Sequence, residues 1–156
     1  MAIGLKEGGR APNFSMESTQ GPIKLADFKG RTLVLYFYPK DDTPGCTTEA
    51  KDFTALAKDF AKADAAVVGV SRDPMTRHEK FAGKHELDLI LASDEDGKVC
   101  EAYGVWVEKQ NYGRTYMGIE RSTFLIGPDG KIRRIWSKVR VKGHAEEVLS
   151  EVRQDA

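Results

Sequence analysis

Cys46 stands where a thiol can act as a nucleophile. Residues 33–53 read LVLYFYPKDDTPGCTTEAKDF. An apolar, β-branched and aromatic run stops at Pro39, a turn-rich cluster follows to Gly45, and helical spacing begins at Cys46. Thr43-Pro44 suits a helix entry, with Thr43 as the cap and Pro44 in the first helical position. Cys46 then falls in the first turn, where backbone N–H groups lack helical partners and the macrodipole is positive. That setting favours the anionic, reactive form of sulfur. Cys46, Ala50, Phe53, Ala57 and Phe60 recur on one apolar helix face, so this face packs on a sheet with the sulfur at its open end. Burial alone disfavours the charged form, so an ionised sulfur here requires the helix end and a cation from elsewhere in the chain. A lone Cys is ordinarily a small buried hydrophobe; the strand–Pro–turn–Thr-Pro–Cys–helix context argues for the reactive reading.

The surrounding pattern supplies the elements that must hold this segment. Short strands are expected at 13–17 and 23–25. Residues 31–38 (RTLVLYFY) read as a buried central strand, continuous rather than alternating, and 66–71 as a second. Helical spacing covers 46–62. Asp73-Pro74 opens a helix as cap and first residue, running to about His85. A third strand is expected at 88–92, a helix at 94–103 ended by Gly104, and a long loop at 105–120. Residues 122–126, the turn Pro128-Asp129-Gly130 and 131–136 form a β-hairpin. A helix over 143–153 closes the chain. This order predicts one α/β domain over 1–156, with a mixed sheet that is parallel at the helical crossovers and antiparallel at the hairpin.

Composition narrows the function classes. The 156 residues carry 24 Lys plus Arg and 24 Asp plus Glu, a formal net charge of zero, which speaks against a dedicated nucleic-acid binder. No apolar run approaches the length of a membrane span, and residues 1–10 lack the pattern of a secretory leader. The two cysteines, Cys46 and Cys100, have no metal-ligand spacing and form no disulfide framework, so a reducing compartment, the cytoplasm, is expected. His78, His85 and His144 contain no His-x-x-x-His pair and read as surface residues. Ser93-Asp94-Glu95-Asp96 reads as a helix cap rather than a metal site. The basic residues of 131–140 alternate and read as a solvated strand face.

The run Pro39-Lys40-Asp41-Asp42-Thr43-Pro44-Gly45-Cys46 resembles the Pro-x-x-x-Thr-x-x-Cys signature of peroxiredoxins. The flanking YFYPKDDTPGCTTEA, the opening Gly9 to Phe14, LASDEDGKVCEAYGVW, GIERSTFLI and the Pro128-Asp129-Gly130 turn are similar to the bacterioferritin-comigratory-protein (peroxiredoxin Q) branch, so the likeness covers nearly the whole chain. The resemblance implies a thioredoxin-like fold with an N-terminal strand extension, and reduction of hydroperoxides without metal or organic cofactor. It implies Cys46 as the peroxidatic thiolate, Thr43 holding thiolate and peroxide through its hydroxyl, Pro39 shielding the site from water, and Arg121 as the cation. Gly45 and Cys46 N–H groups are further donors. Glu49 matches an acidic or amide companion of the motif; a helix-surface carboxylate is the competing reading. Without the resemblance, Arg121 reads as a surface residue.

The sequence departs from that branch in its second cysteine. Where many members carry a resolving Cys five positions after the first, this chain has Lys51, and 75–87 contains none. A one-Cys enzyme is therefore expected, with the sulfenic acid resolved by thioredoxin, glutaredoxin or glutathione. Cys100 keeps two readings: a buried position on its helix, or a resolving thiol that needs local unwinding to reach Cys46. The resemblance also implies a monomer. Three other functions compete. A cysteine hydrolase needs a His beside the sulfur. A non-enzymatic binding or chaperone module needs no thiol. A disulfide oxidoreductase lacks its Cys-x-x-Cys.

Overall fold

Two parallel crossovers build the middle of the sheet. In the computed structural model of the chain, which describes residues 5–154, β3 (Thr32–Phe37) pairs in parallel with β4 (Ala65–Ser71), and β4 with β5 (Ile90–Ser93). The reading of residues 1–10 and the outer limits of the 1–156 domain therefore fall partly outside the described residues. Helices α1 (Pro44–Ala55) and α2 (Ala57–Lys62) make the first crossover, and α3 (Met75–His85) makes the second. The N-terminal strands β1 (Ser15–Ser18) and β2 (Ile23–Lys24) extend the sheet antiparallel beyond β5. After α4 (Lys98–Ala102) come β6 (Trp106–Asn111) and β7 (Arg114–Ile119). Strands β8 (Ser122–Ile126) and β9 (Ile132–Trp136) then complete the sheet, and α5 (His144–Gln154) closes the chain. The sheet order is β2-β1-β5-β4-β3-β8-β9, the mixed α/β architecture expected from the sequence.

Alternation along β3 divides the core in two. Leu33, Leu35 and Phe37 point to one face, with Val68, Val70, Phe124, Val99 and Cys100. Val34, Tyr36 and Tyr38 point to the other, with Cys46, Ala50, Phe53, Phe60, Phe81 and Val148. Helices α1, α3 and α5 thus cover one face of the sheet and α4 the other. The two cysteines belong to opposite faces. Gly69 in β4 is required by packing: a Cβ there would lie 2.7 Å from the Tyr36 ring, which is fully buried.

The structure corrects several expectations. Residues 105–120 are not a loop but chiefly the hairpin β6–β7, paired from Trp106↔Ile119 to Asn111↔Arg114. Its turn residues, Tyr112 and Gly113, both have positive φ (51° and 77°), the two-residue turn whose twist matches a hairpin. The hairpin is largely solvent-exposed, so it lacks the alternating apolar pattern that betrays a half-buried strand. The helical stretch 46–62 breaks at Leu56. The helix expected over 94–103 is shortened to α4, because Gly97 takes a left-handed conformation (φ 77°) before it. Asp94 still acts as a cap, accepting the N–H of Val99 at 3.1 Å and of Cys100 at 2.7 Å. Pro74, not Asp73, is the cap residue of α3.

The register explains how a late residue reaches an early loop. Antiparallel pairing sets Ser122 opposite Phe37, two residues before Pro39. Arg121 therefore immediately precedes β8, where β3 ends and the chain turns toward Cys46. Its segment is tied on both sides: Glu120 N–H donates to the Val105 carbonyl at 2.8 Å, and the Arg121 carbonyl accepts the Val139 N–H at 2.9 Å.

Candidate active site

Cys46 sits in the first turn of α1, 2% exposed. Pro44 has no N–H to offer, and the helix N-terminus has no side-chain cap, so the Gly45 and Cys46 N–H groups are left free of helical partners beside the sulfur. Arg121 Nη2 donates to Cys46 Sγ at 3.3 Å, while Nη1 donates to Glu49 Oε1 at 2.6 Å. One guanidinium fork thus spans the thiol and the carboxylate one helical turn beyond it. Gly45 permits this approach, since a Cβ there would lie 3.2 Å from Arg121 Nη2. The surface readings of Arg121 and Glu49 fail together: the Glu49 side chain is 1% exposed and that of Arg121 17%.

Thr43 occupies the cap position, but its hydroxyl does not cap. It donates to the Lys40 carbonyl at 2.8 Å. With its proton committed there, the Thr43 oxygen remains as an acceptor facing the same loop. Pro39 ends the strand segment as expected and is exposed.

Glu49 carries the strongest electrostatic signature of the site. Burial pushes its carboxyl up to about 7, against the opposing pull of Arg121, and Oε2 is buried without a partner among the described residues. Between the ordinary carboxylate range and about 7, folded Glu49 holds a proton that the unfolded chain has released. The stability it contributes is complete below that range and is lost as pH rises through about 7. Glu49→Gln cannot ionise, so its melting temperature should fall less than the native protein's between about pH 5 and about pH 8. Thermal melts across that range test this; identical slopes would refute the assignment.

The remaining titratable groups separate the competing functions. His78 is 0% exposed and His144 5%, so two of the three expected surface histidines are core residues. A sequence cannot display the partners that make such burial tolerable, which come from distant segments. His78 is held by Asp41 and the Ala92 carbonyl, His144 by the Thr123 hydroxyl at 2.8 Å, and His85 by Asp42 at 2.8 Å. Burial pulls His144 down to about 4, so it is neutral at neutral pH. Each histidine is thus engaged away from Cys46 Sγ, whose hydrogen-bond partner is Arg121. A hydrolase's general base is therefore missing.

Cys100 is fully buried beneath the other face of the sheet, and burial, with Asp94 adding to it, drives its thiol far above its ordinary value. The hairpin adds a residue that sequence reasoning did not single out. Lys109 is half-buried, its stem crossing Gly118, where a Cβ would lie 3.2 Å from Lys109 Cδ. Burial and the neighbouring Arg121 charge pull its ammonium down, opposed by Glu120 and Cys46. Trp106 stacks on Arg72 (4.4 Å), and Tyr112 is 99% exposed at the hairpin tip.

Residues 8–135 match the family model described as the AhpC/TSA family. The chain belongs to this family. It is a peroxiredoxin, and a thiol-dependent peroxidase, of the bacterioferritin-comigratory-protein and peroxiredoxin Q branch. Peroxiredoxin Bcp of Bacillus subtilis is 50% identical over 143 residues, 91% of each chain. Among solved structures, a cysteine-to-serine variant of peroxiredoxin Q from Xylella fastidiosa is 40% identical over 97% of each chain, with a TM-score of 0.91. The bacterioferritin comigratory protein of Xanthomonas campestris, solved as a trapped intermediate/ligand complex bearing on its alkyl peroxide reduction activity, is 44% identical over 91% of each chain, with a TM-score of 0.87. These peroxiredoxins share the thioredoxin-like fold that the mixed sheet and flanking helices form here.

Among the described residues no helix is long and apolar enough to cross a membrane, and no group of three or more His, Cys, Asp or Glu could hold a metal ion.

Proposed function

We propose that the chain reduces hydrogen peroxide and organic hydroperoxides through a sulfenic acid on Cys46, in a one-Cys cycle completed by an external thiol. The observation that carries this reading is the guanidinium of Arg121 set 3.3 Å from Cys46 Sγ and anchored by Glu49. The alkyl peroxide reduction associated with the Xanthomonas relative supports the organic substrates.

The Cys46 thiolate attacks the nearer peroxide oxygen in line with the O–O bond. The S–O bond forms as O–O breaks; sulfur is oxidised to sulfenic acid and the leaving oxygen departs as hydroxide or alkoxide, which then takes a proton. Negative charge migrates from sulfur along that line. Donors fixed on it favour the transition state over the ground state. Arg121 and the Gly45 and Cys46 N–H groups are those donors, while the Thr43 oxygen accepts the hydrogen of the bound hydroperoxide. Pro39 shields the mouth. The first external thiol condenses with the sulfenic acid, releasing water and leaving a mixed disulfide; a second thiol exchanges with it, restores Cys46 and leaves as the reductant disulfide. Thioredoxin, glutaredoxin and glutathione all supply that chemistry. The two free buried thiols accord with work in a reducing compartment such as the cytoplasm.

Peroxide consumption measured with each of the three reductants, together with mass spectrometry of peroxide-treated protein, tests the proposal. Expected is a dimedone-trappable sulfenic acid on Cys46 and no intramolecular bridge. A Cys46–Cys100 disulfide within one molecule would end the one-Cys part; no peroxide consumption with any thiol would end the whole.

A further inference from the structure

The loop that presents Thr43 and Cys46 is fastened to α3 and β5 by a buried polar chain that the chemistry does not touch. Tyr38 Oη donates to Asp41 Oδ1 at 2.5 Å. His78 Nδ1 lies 2.6 Å from Asp41 Oδ2, and His78 Nε2 lies 2.8 Å from the Ala92 carbonyl. That carbonyl can only accept, so Nε2 bears a hydrogen, and a single proton occupies the Nδ1–Oδ2 line. The backbone is held as well: the Asp41 N–H donates to Asp73 Oδ2 at 2.8 Å, an oxygen that also accepts the Ser71 hydroxyl at 2.7 Å. Tyr38, Asp41 and His78 are each at most 2% exposed. An outer layer repeats the attachment, with Asp42 accepting Lys84 Nζ and His85 Nε2, each at 2.8 Å.

Stability alone gives no reason for this arrangement. A buried ionic or proton-sharing pair is often no more stabilising than well-packed apolar residues of the same volume. What the chain fixes is geometry. Asp41 lies two residues before Thr43 and five before Cys46, and Asp42 between them adopts a left-handed backbone (φ 60°). A loop in that conformation needs its neighbours to hold it. We propose that Tyr38, Asp41 and His78 are positioning residues for peroxide reduction: by locking the loop to α3 they set the Thr43 oxygen and the Gly45 and Cys46 N–H groups on the line of the breaking O–O bond. The inference rests on the peroxidase reading above, and its residues act through the loop rather than on substrate.

The test compares two electrophiles on the same sulfur. Hydrogen peroxide needs the full set of aligned donors; iodoacetamide needs only an accessible thiolate. Second-order rate constants of Cys46 with each are measured for the native protein, Asp41→Asn, His78→Gln and Tyr38→Phe. A displacement of about 1 Å costs on the order of 100-fold, so the first two variants should lose roughly 10- to 100-fold with peroxide. Their iodoacetamide rates should stay within about threefold, and Tyr38→Phe should show the same selectivity at a smaller, severalfold loss. Parallel losses with both electrophiles, or peroxide rates near native in folded variants, would overturn the proposal. Tyr38→Phe removes one oxygen and keeps the ring; it decides alone if the other two fail to fold, an unchanged peroxide rate overturning the proposal. A native protein whose Cys46 reacts with peroxide no faster than with iodoacetamide would instead overturn the peroxidase reading and this inference with it.

Discussion

Cys46→Ser should abolish peroxide reduction, lowering kcat/KM by roughly four orders of magnitude or more, because a serine hydroxyl neither ionises at neutral pH nor accepts an oxygen atom from peroxide. The fold should survive the change. Ser is nearly isosteric, and the packing of Ala50, Phe53 and Phe60 on the same face is untouched. Cys100→Ser provides the contrast. Its side chain lies under the far face of the sheet, 0% exposed, so activity should remain near native while stability falls by about 1–3 kcal/mol from burying a hydroxyl. A coupled peroxidase assay with thermal melts of both variants measures the pair of outcomes. Substantial activity in Cys46→Ser would move the function to a binding or chaperone role that needs no thiol. Loss of activity in well-folded Cys100→Ser would reinstate the second cysteine as a redox partner.

Arg121→Met should cost about 100- to 1000-fold in kcat/KM, the usual effect of deleting one preorganised donor from a site of developing negative charge. Arg121→Lys keeps the charge but loses the fork that spans Cys46 and Glu49, and should fall between. The stability consequence is less obvious. Breaking a buried pair typically costs about 3–5 kcal/mol, because the orphaned charge cannot leave. Glu49 has an escape: already pushed up to about 7, it rises further without the guanidinium and stays protonated near neutrality. Arg121→Met should therefore lose less than that range near neutral pH, and progressively more as pH rises and the carboxyl is forced to ionise. Activity and melting temperature followed together against pH give the check. A stability deficit that does not grow with pH would mean that Glu49 is not the group bearing it.

Much of this site was legible in the sequence because its signals are local. The run 31–38 and the run 66–71 are continuous and apolar, as strands buried on both faces must be, and the structure places β3 and β4 there. Thr43-Pro44 announced the helix that carries Cys46. The link between Cys46 and Arg121 was not local. It depends on the register of β8 against β3, and only the likeness to a known family suggested it ahead of coordinates. His78 and His144 were misread for the same reason: on their own helices they look like polar surface positions, and the groups that satisfy them arrive from Asp41, Ala92 and Thr123. The hairpin β6–β7 failed differently. Its stability is in its own cross-strand bonds and its Tyr112-Gly113 turn, so hydrophobic patterning had nothing to report.

The sheet that stands between the two cysteines carries a consequence for the oxidised enzyme in the one-Cys cycle proposed above. In that cycle no partner sulfur on the same molecule quenches the sulfenic acid, so each turnover would end in a wait for a diffusing thiol. The length of that wait follows the local supply of reductant. When supply fails, a second peroxide can capture the same sulfur and drive it to the sulfinic stage, which thiols do not reverse. On that proposed cycle, thiol starvation would inactivate the chain progressively, and its surviving fraction would record how long the shortage lasted.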